Sequence, residues 1–235
     1  MQERSEYQFE PAITSLPIAG SAKRFPIRRI YCVGRNYVEH IREMKEGDER
    51  DPPFFFQKPT DAIVQDQAKV FYPMWTDDYQ YELELVVAIG RGGHHVELKD
   101  ALTLVFGYAV GLDMTRRDRQ REAREKRLPW EMGKAFDQSA PCAAIRAIKD
   151  VGYPSAGGIT LTVNGQPKQT GDLSQMIWNV PEIIANLSRQ YELVPGDLIF
   201  TGTPAGVGPV VPGDILTGKI EGVGALQIEI ASRRK

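Results

Sequence analysis

Residues 81–90 read YELELVVAIG, and the order of polar and apolar side chains in this stretch decides the fold class. Glu82, Leu83, Glu84 and Leu85 alternate, whereas Val86 to Ile89 is apolar throughout. Alternation marks a strand with one wet face, and an unbroken apolar run marks a strand covered on both faces. The segment Glu82 to Ile89 is therefore predicted as a strand that leaves a polar rim and enters a core. Two residues apart, Glu82 and Glu84 share a face, roughly 6–7 Å apart along the backbone. Carboxylates that close repel unless a cation sits between them or one keeps its proton. As a bare pattern, the same pair also suits the exposed face of an edge strand.

The flanking segments continue in strands. Leu104 to Leu112 is a second apolar run, ending at Asp113, where a turn into a helix would aim this third carboxylate at the same rim. A charged helix is predicted from Thr115 to Arg127, with Thr115 and Asp118 as its capping box. Residues 116–127 carry seven cations and three anions, the composition of a solvated helix face. Upstream, Arg29 to Val33 reads as a strand ended by Gly34. A helix follows from Asn36 to Lys45, with Tyr37, Ile41 and Met44 inward. Residues 46–53 read as a loop and Phe54 to Phe56 as a short strand closed by Pro59. Ile159 to Val163 before Asn164-Gly165 predicts a hairpin, Val180 to Tyr191 an amphipathic helix, and Leu198 to Phe200 a strand feeding the glycine-rich loop Thr201 to Gly208. Residues 1–26 read as an arm or a small pair of strands ahead of one body, 27–235. The whole is a strand-rich α+β chain.

Composition sets the outer limits. The chain has 235 residues, 42% hydrophobic and 26% charged, enough for one substantial core and far from a disordered composition. A formal net charge of -2 argues against a dedicated nucleic-acid binder. No apolar run is long enough for a membrane span, and MQERSEYQFE at the start lacks a signal peptide's apolar centre. Cys32 and Cys142, far apart and outside any metal-ligand spacing, read as reduced thiols of a cytoplasmic protein, and Cys32 as a buried apolar residue. His94 and His95, after a glycine-rich turn, read as surface residues.

The chemistry is concentrated in the carboxylates. Glu82, Glu84 and Asp113 offer hard oxygen donors, which suit a divalent cation, Mg²⁺ foremost and Mn²⁺ or Ca²⁺ next. Three such ligands leave about three octahedral positions, two for the carboxylate and keto oxygens of a 2-oxo acid and one for water. His40 and Glu43, three apart on a helix, share a face, where a carboxylate beside an imidazole can strengthen it as a base. Lys134, between a helix and a strand-like run, can offset the carboxylates and stabilise an oxyanion. The loop TGTPAGVG (201–208) is either a tight turn or a small anion nest. It lacks the ending of a phosphate-binding P-loop and the glycine spacing of a dinucleotide fingerprint.

Seven segments carry a resemblance: YCVGRNYVEHIREM (31–44), FFFQKP (54–59), YELELVVAIG (81–90), GYAVGLDMTRRDRQ (107–120), WEMGKAFDQSAP (130–141), LTVNG (161–165) and GDLIFTGTPAGVG (196–208). In this order they resemble the fumarylacetoacetate hydrolase family from about residue 27 onward, and within it the acylpyruvate and fumarylpyruvate hydrolases. RFPIRRIYCVGRNY (24–37) and MIWNVPEII (176–184) are the segments nearest that subgroup. The resemblance implies a mixed β-sandwich or β-roll, a homodimer and a metal held by Glu82, Glu84 and Asp113. It gives His40 and Glu43 the activation of water under a mobile N-terminal lid, and Lys134 a place in catalysis. It also implies substrate contacts at Lys58, Arg117, Gln120, Gly202 and Thr203, with an arginine fork for the far end of a dicarboxylate. The expected reaction is hydrolysis of a carbon–carbon bond in an acylpyruvate, fumarylpyruvate giving fumarate and pyruvate, late in gentisate-type aromatic catabolism. Oxaloacetate decarboxylation, isomerisation or decarboxylation of 2-hydroxyhepta-2,4-diene-1,7-dioate, and a non-catalytic metal-binding role are the alternatives.

Overall fold

The computed structural model describes residues 8–10, 12–44 and 51–234. The expected features at residues 1–7, Lys45 and 46–50 lie outside that range. Two sheets share a core. The larger has eight strands, seven of them in the order Phe54–Lys58, Arg29–Gly34, Asp197–Phe200, Leu83–Ile89, Val105–Leu112, Ala140–Cys142 and Ile63–Gln65; Arg146–Ala147 pairs at the side of Val105–Leu112. It is mixed: Arg29–Gly34 runs parallel to Asp197–Phe200, which is antiparallel to Leu83–Ile89. The second sheet joins Gln166–Asp172, Gly158–Val163, Ile215–Ile220, Gly224–Ala231 and Lys69–Phe71.

The apolar run in 86–89 is explained by burial on both faces. Leu83, Leu85, Val87 and Ile89 join one core with Leu161, Leu216 and Ile228 of the second sheet. Val86 and Ala88 face a second core with Leu198, Phe200, Leu16 and Phe25. The last two come from a two-stranded pair, Ser15–Pro17 with Arg24–Pro26, within the stretch read as an arm or pair of strands. The sheets approach closely at Gly218, where a Cβ would lie 2.3 Å from Leu83 Cδ1.

The predicted strand from Glu82 is in fact two. Tyr79–Tyr81 belongs to a separate three-stranded sheet with Thr115–Arg116 and Gly208–Pro209, and Glu82 lies in the break before Leu83–Ile89. Val105–Leu112 breaks at Asp113, and Asp197–Phe200 breaks at Thr201, before each chain continues into the small sheet. Three neighbouring strands therefore part at one level, and the seam collects Glu82, Asp113 and the 201–207 loop.

The hairpin turns at Asn164 and Gly165 with φ of 52° and 77°, the left-handed pair that a two-residue turn requires. The helix Val180–Gln190 buries Ile183, Ile184 and Leu187 as expected, and its capping box is Asn179 with Glu182. No such box forms at Thr115. The helix there is Arg117–Glu125 with Arg116 as N-cap, Asp118 accepts from Thr76, and the Thr115 hydroxyl turns inward to the carboxylates. The helix Val38–Met44 starts later than the predicted Asn36, because Asn36 and Tyr37 hold other partners: Tyr37 bridges Met176. Ile41 is buried as expected, and Met44 only partly.

Gly107 tests the packing register. A Cβ there would lie 2.2 Å from the Arg146 carbonyl oxygen, a backbone atom of the paired strand. Gly107→Ala is expected to destabilise the fold by about 1–3 kcal/mol, the usual range for overpacking, read from the shift of the urea midpoint. An unchanged midpoint would mean that the two strands do not hold this register.

Candidate active site

The seam fixes three carboxylates side by side. Glu84 stands opposite Gly111, and the Asp113 amide donates to the Glu82 carbonyl at 2.8 Å, so the ladder sets Glu82 and Glu84 across from Asp113. All three are buried, at 5%, 1% and 1% exposure, and offer oxygens within 4.8 Å of one another. Such a cluster is costly unless cations attend it.

Three do. Lys134 Nζ donates to Glu82 Oε2 and Asp113 Oδ2, both at 2.8 Å, and to the Thr115 hydroxyl at 2.7 Å. Lys58 Nζ stands 2.8 Å from Asp113 Oδ1 and donates to the carbonyls of Met114 and Lys134. Arg117 donates from Nε to Gln80, from Nη1 to Gln120 and from Nη2 to Glu82. Burial alone would raise Glu82, but Lys134 and Arg117 outweigh it and hold this carboxyl far below the usual carboxylate range. Burial alone would lower Lys134, yet Asp113 and Glu82 raise it above the usual lysine value, so it remains an ammonium. Glu84 is the exception. Burial, Asp113 and Glu82 push its carboxyl well up, and no cation of the described residues pairs with it; its hydrogen bond is from the Gly202 amide at 2.8 Å. The cluster thus lacks positive charge at the Glu84 end, and Asp113 Oδ1 accepts no well-aligned hydrogen bond despite Lys58. An all-oxygen set with one uncompensated carboxylate and one unsatisfied oxygen fits a hard divalent cation.

A cleft opens beside the cluster, lined by Glu82, Glu84, Lys134, Arg117, Gln120 and Thr203 together with Arg35, His40, Met44, Phe56 and Trp130. His40 Nδ1 lies 3.3 Å from Glu43 Oε2, and the Gly206 amide donates to both Glu43 oxygens at 3.2 Å. The His40 bond lowers Glu43 below the ordinary carboxylate range against its partial burial, and the Gly206 amide adds to this. With Nδ1 turned to Glu43, Nε2 is the ring nitrogen left for the cleft.

Two of the residues expected to contact substrate have partners within the protein. The Gly202 amide meets the Glu84 carboxylate, so the glycine-rich loop is an anion nest for the protein's own Glu84 and Glu43. Lys58 sits behind Asp113, fully buried, rather than in the cleft wall. Gly202, Thr203, Arg117 and Gln120 all line the cleft; the Thr203 hydroxyl accepts from Gln169 Nε2 at 2.8 Å and keeps its own proton to donate. His94 and His95 are exposed, and burial raises the thiols of Cys32 and Cys142, so neither is a nucleophile.

Three residues were not legible beforehand. Asn36, fully buried, donates to the carbonyls of Thr201 and Trp178 and accepts from the Trp178 amide, which ties the loop to the segment before the C-terminal helix. Gln169 accepts from the Leu83 amide and donates to Thr203 and Pro204, joining the second sheet to the seam. Thr115 bridges Lys134 and Asp113. For Asn36 and Thr115 the only sequence signal is a polar side chain beside a buried apolar one, and Gln169, between exposed Lys168 and Thr170, has not even that.

The chain is similar to several known proteins. A fumarylpyruvate hydrolase of Ralstonia sp is 48% identical over 177 residues, 75% of this chain and 92% of that protein. An oxaloacetate decarboxylase of Dictyostelium discoideum is 40% identical over 88% of this chain and 96% of that protein. The crystal structure of fumarylpyruvate hydrolase from Pseudomonas aeruginosa in complex with Mn²⁺ and pyruvate superposes with a TM-score of 0.95 at 49% identity, covering 97% of this chain and 100% of that one. Residues 29–231 match the family described as fumarylacetoacetate (FAA) hydrolase C-terminal, and the chain belongs to that family.

Proposed function

We propose that this chain is a metal-dependent hydrolase that splits an acylpyruvate, with fumarylpyruvate as its substrate and fumarate and pyruvate as products. The observation that carries the reading is a buried carboxylate cluster, short of positive charge at Glu84, in the same cleft as His40, which is paired with Glu43. The 48–49% identity to proteins named as fumarylpyruvate hydrolases, against 40% to the oxaloacetate decarboxylase, supports it.

Glu82, Glu84 and Asp113 would hold the ion, Mg²⁺ in the working enzyme with Mn²⁺ able to replace it, and it supplies Lewis-acid polarisation of the 2-oxo acid and stabilises the charge left on the pyruvate half. The three buried cations stand at Glu82 and Asp113, so an ion that meets Glu84 adds the positive charge that suits an anionic substrate. His40 takes a proton from water through Nε2, while Glu43 fixes the ring and steadies its positive charge, itself held by the Gly206 amide. The water oxygen adds to the acyl carbonyl, and Lys134, an ammonium on the cleft wall, is placed to stabilise the oxyanion with donors withdrawn from Glu82 and Asp113. The bond from that carbon to the pyruvate methylene breaks, and this carbon takes up the proton that His40 holds. Thr203, Arg117 and Gln120 orient the substrate.

The direct test is loss of fumarylpyruvate absorbance with Mg²⁺ and again with excess chelator. Chelator-sensitive loss yielding pyruvate and fumarate is expected; turnover of oxaloacetate alone would assign the chain to decarboxylation instead. His40→Ala should lower kcat by about 10²- to 10⁴-fold with metal content unchanged, the range for a lost general base. Full activity in that variant would remove His40 from the mechanism.

Asn36 acts at one remove, by setting the strand end from which Gly202 reaches Glu84. Asn36→Ala is expected to weaken Mn²⁺ binding by about 10- to 100-fold in a calorimetric titration, as loss of a ligand-orienting partner does. Unchanged affinity would separate Asn36 from the carboxylate cluster.

A further inference from the structure

One more cation lines the cleft and is used neither by the carboxylate cluster nor by the His40–Glu43 pair. Arg35 follows the strand Arg29–Gly34 and is half-buried in the wall that also carries His40. Its φ of 61° is a left-handed backbone that a non-glycine residue rarely adopts, and the next residue, Asn36, is clamped to Thr201 and Trp178. The backbone that aims Arg35 is thus held firmly rather than left to a pliable loop.

The other cleft cations have prior duties. Lys134 has its three donors on Glu82, Asp113 and Thr115, and each nitrogen of Arg117 already bonds Gln80, Gln120 or Glu82. Arg117, bonded through Nη2 to Glu82, therefore stands at the carboxylate cluster, where it meets the 2-oxo acid half rather than the far end of a dicarboxylate. Arg35 has a partner within the protein too, but a guanidinium carries five N–H donors, enough for a carboxylate as well. Phe56, its ring centre 5.3 Å from Lys134 Nζ, and Trp130, its ring 5.8 Å from that of Phe56, add aromatic surface beside the cluster, and Met44 also lines the cleft. The cleft thus combines a carboxylate cluster, two aromatic rings and the additional cation Arg35.

We propose that Arg35 is the specificity-determining residue that selects acylpyruvates whose acyl chain is flat and ends in a second carboxylate, which its guanidinium receives. This rests on the acylpyruvate hydrolase reading and deepens it by assigning the substrate class. Specificity for the second charge then resides in the turn after the strand Arg29–Gly34, and not in Arg117.

The test compares fumarylpyruvate with crotonylpyruvate, the same unsaturated chain ending in a methyl group, for the unaltered chain, Arg35→Met and Arg35→Lys, all with Mg²⁺. Arg35→Met should lower the ratio of kcat/KM for fumarylpyruvate over crotonylpyruvate by about 10- to 100-fold, as loss of a hydrogen bond between charged groups does. Arg35→Lys should fall between, since an ammonium keeps the charge without the fork. Calorimetric affinities for the two compounds, measured on the same changes in a His40→Ala background, should show the same ratio without turnover. Equal losses for both compounds would make Arg35 merely structural, and an unchanged ratio would place the second carboxylate elsewhere; either overturns the proposal. If the unaltered chain releases pyruvate from neither compound, the hydrolase reading fails, and the calorimetric ratio still decides the role of Arg35.

Discussion

Three carboxylates withdrawn from water are the constraint on which this structure depends. Ionised groups at 1–5% exposure are tolerated only where opposite charge and hydrogen bonds replace the lost solvent, and much of the molecule is arranged to provide them. Lys58 comes from an edge strand, Lys134 from a short helix, Arg117 from the first turn of another, and the Gly202 amide from a loop after a fourth element. Each reaches the same few cubic ångströms from a different part of the chain. The compensation is uneven, complete around Glu82 and lacking around Glu84, and that unevenness is what makes the site receptive to a cation.

The sheet architecture supplies the place. Strands buried on both faces have no room for polar groups along their length, so the carboxylates cluster where the chains cease to pair. The central strands of the large sheet all part at one level before resuming in the small sheet. Glu82 lies in that gap and Asp113 at its edge, and the loop after Phe200 folds over them. The break frees backbone amides that the ladder would otherwise use, and Gly202 and Gly206 spend theirs on Glu84 and Glu43.

How much of this the sequence disclosed follows the range of the interactions. Alternation at Glu82 and Glu84, the three-residue spacing of His40 and Glu43, and the Asn164-Gly165 turn are local patterns, and each could be read from its neighbours. The role of Lys58 could not, because its ammonium lies behind Asp113, 55 positions along the chain. Asn36 and Gln169 were silent for the same reason: their partners stand 165 and 86 residues away. Thr115 misled for the opposite reason, since a local capping partner was plausible while the winning one, Lys134, came from a separate helix. The glycine-rich loop was recognised as a nest, but which anion it holds depended on tertiary placement.

The parallel pairing of Arg29–Gly34 with Asp197–Phe200 has a bearing on how the protein is made. Arg28 and Asp197, which form an ion pair beside that ladder, lie 169 residues apart. A contact of such sequence separation forms late and slowly, because the intervening chain must first be gathered in. During synthesis from the N-terminus, the strand Arg29–Gly34 has no partner on that edge until residues 197–200 have left the ribosome. The carboxylates themselves are aligned by the local pairing of Leu83–Ile89 with Val105–Leu112 and do not wait for that partner; what waits for residues 197–202 is the Gly202 amide that holds Glu84.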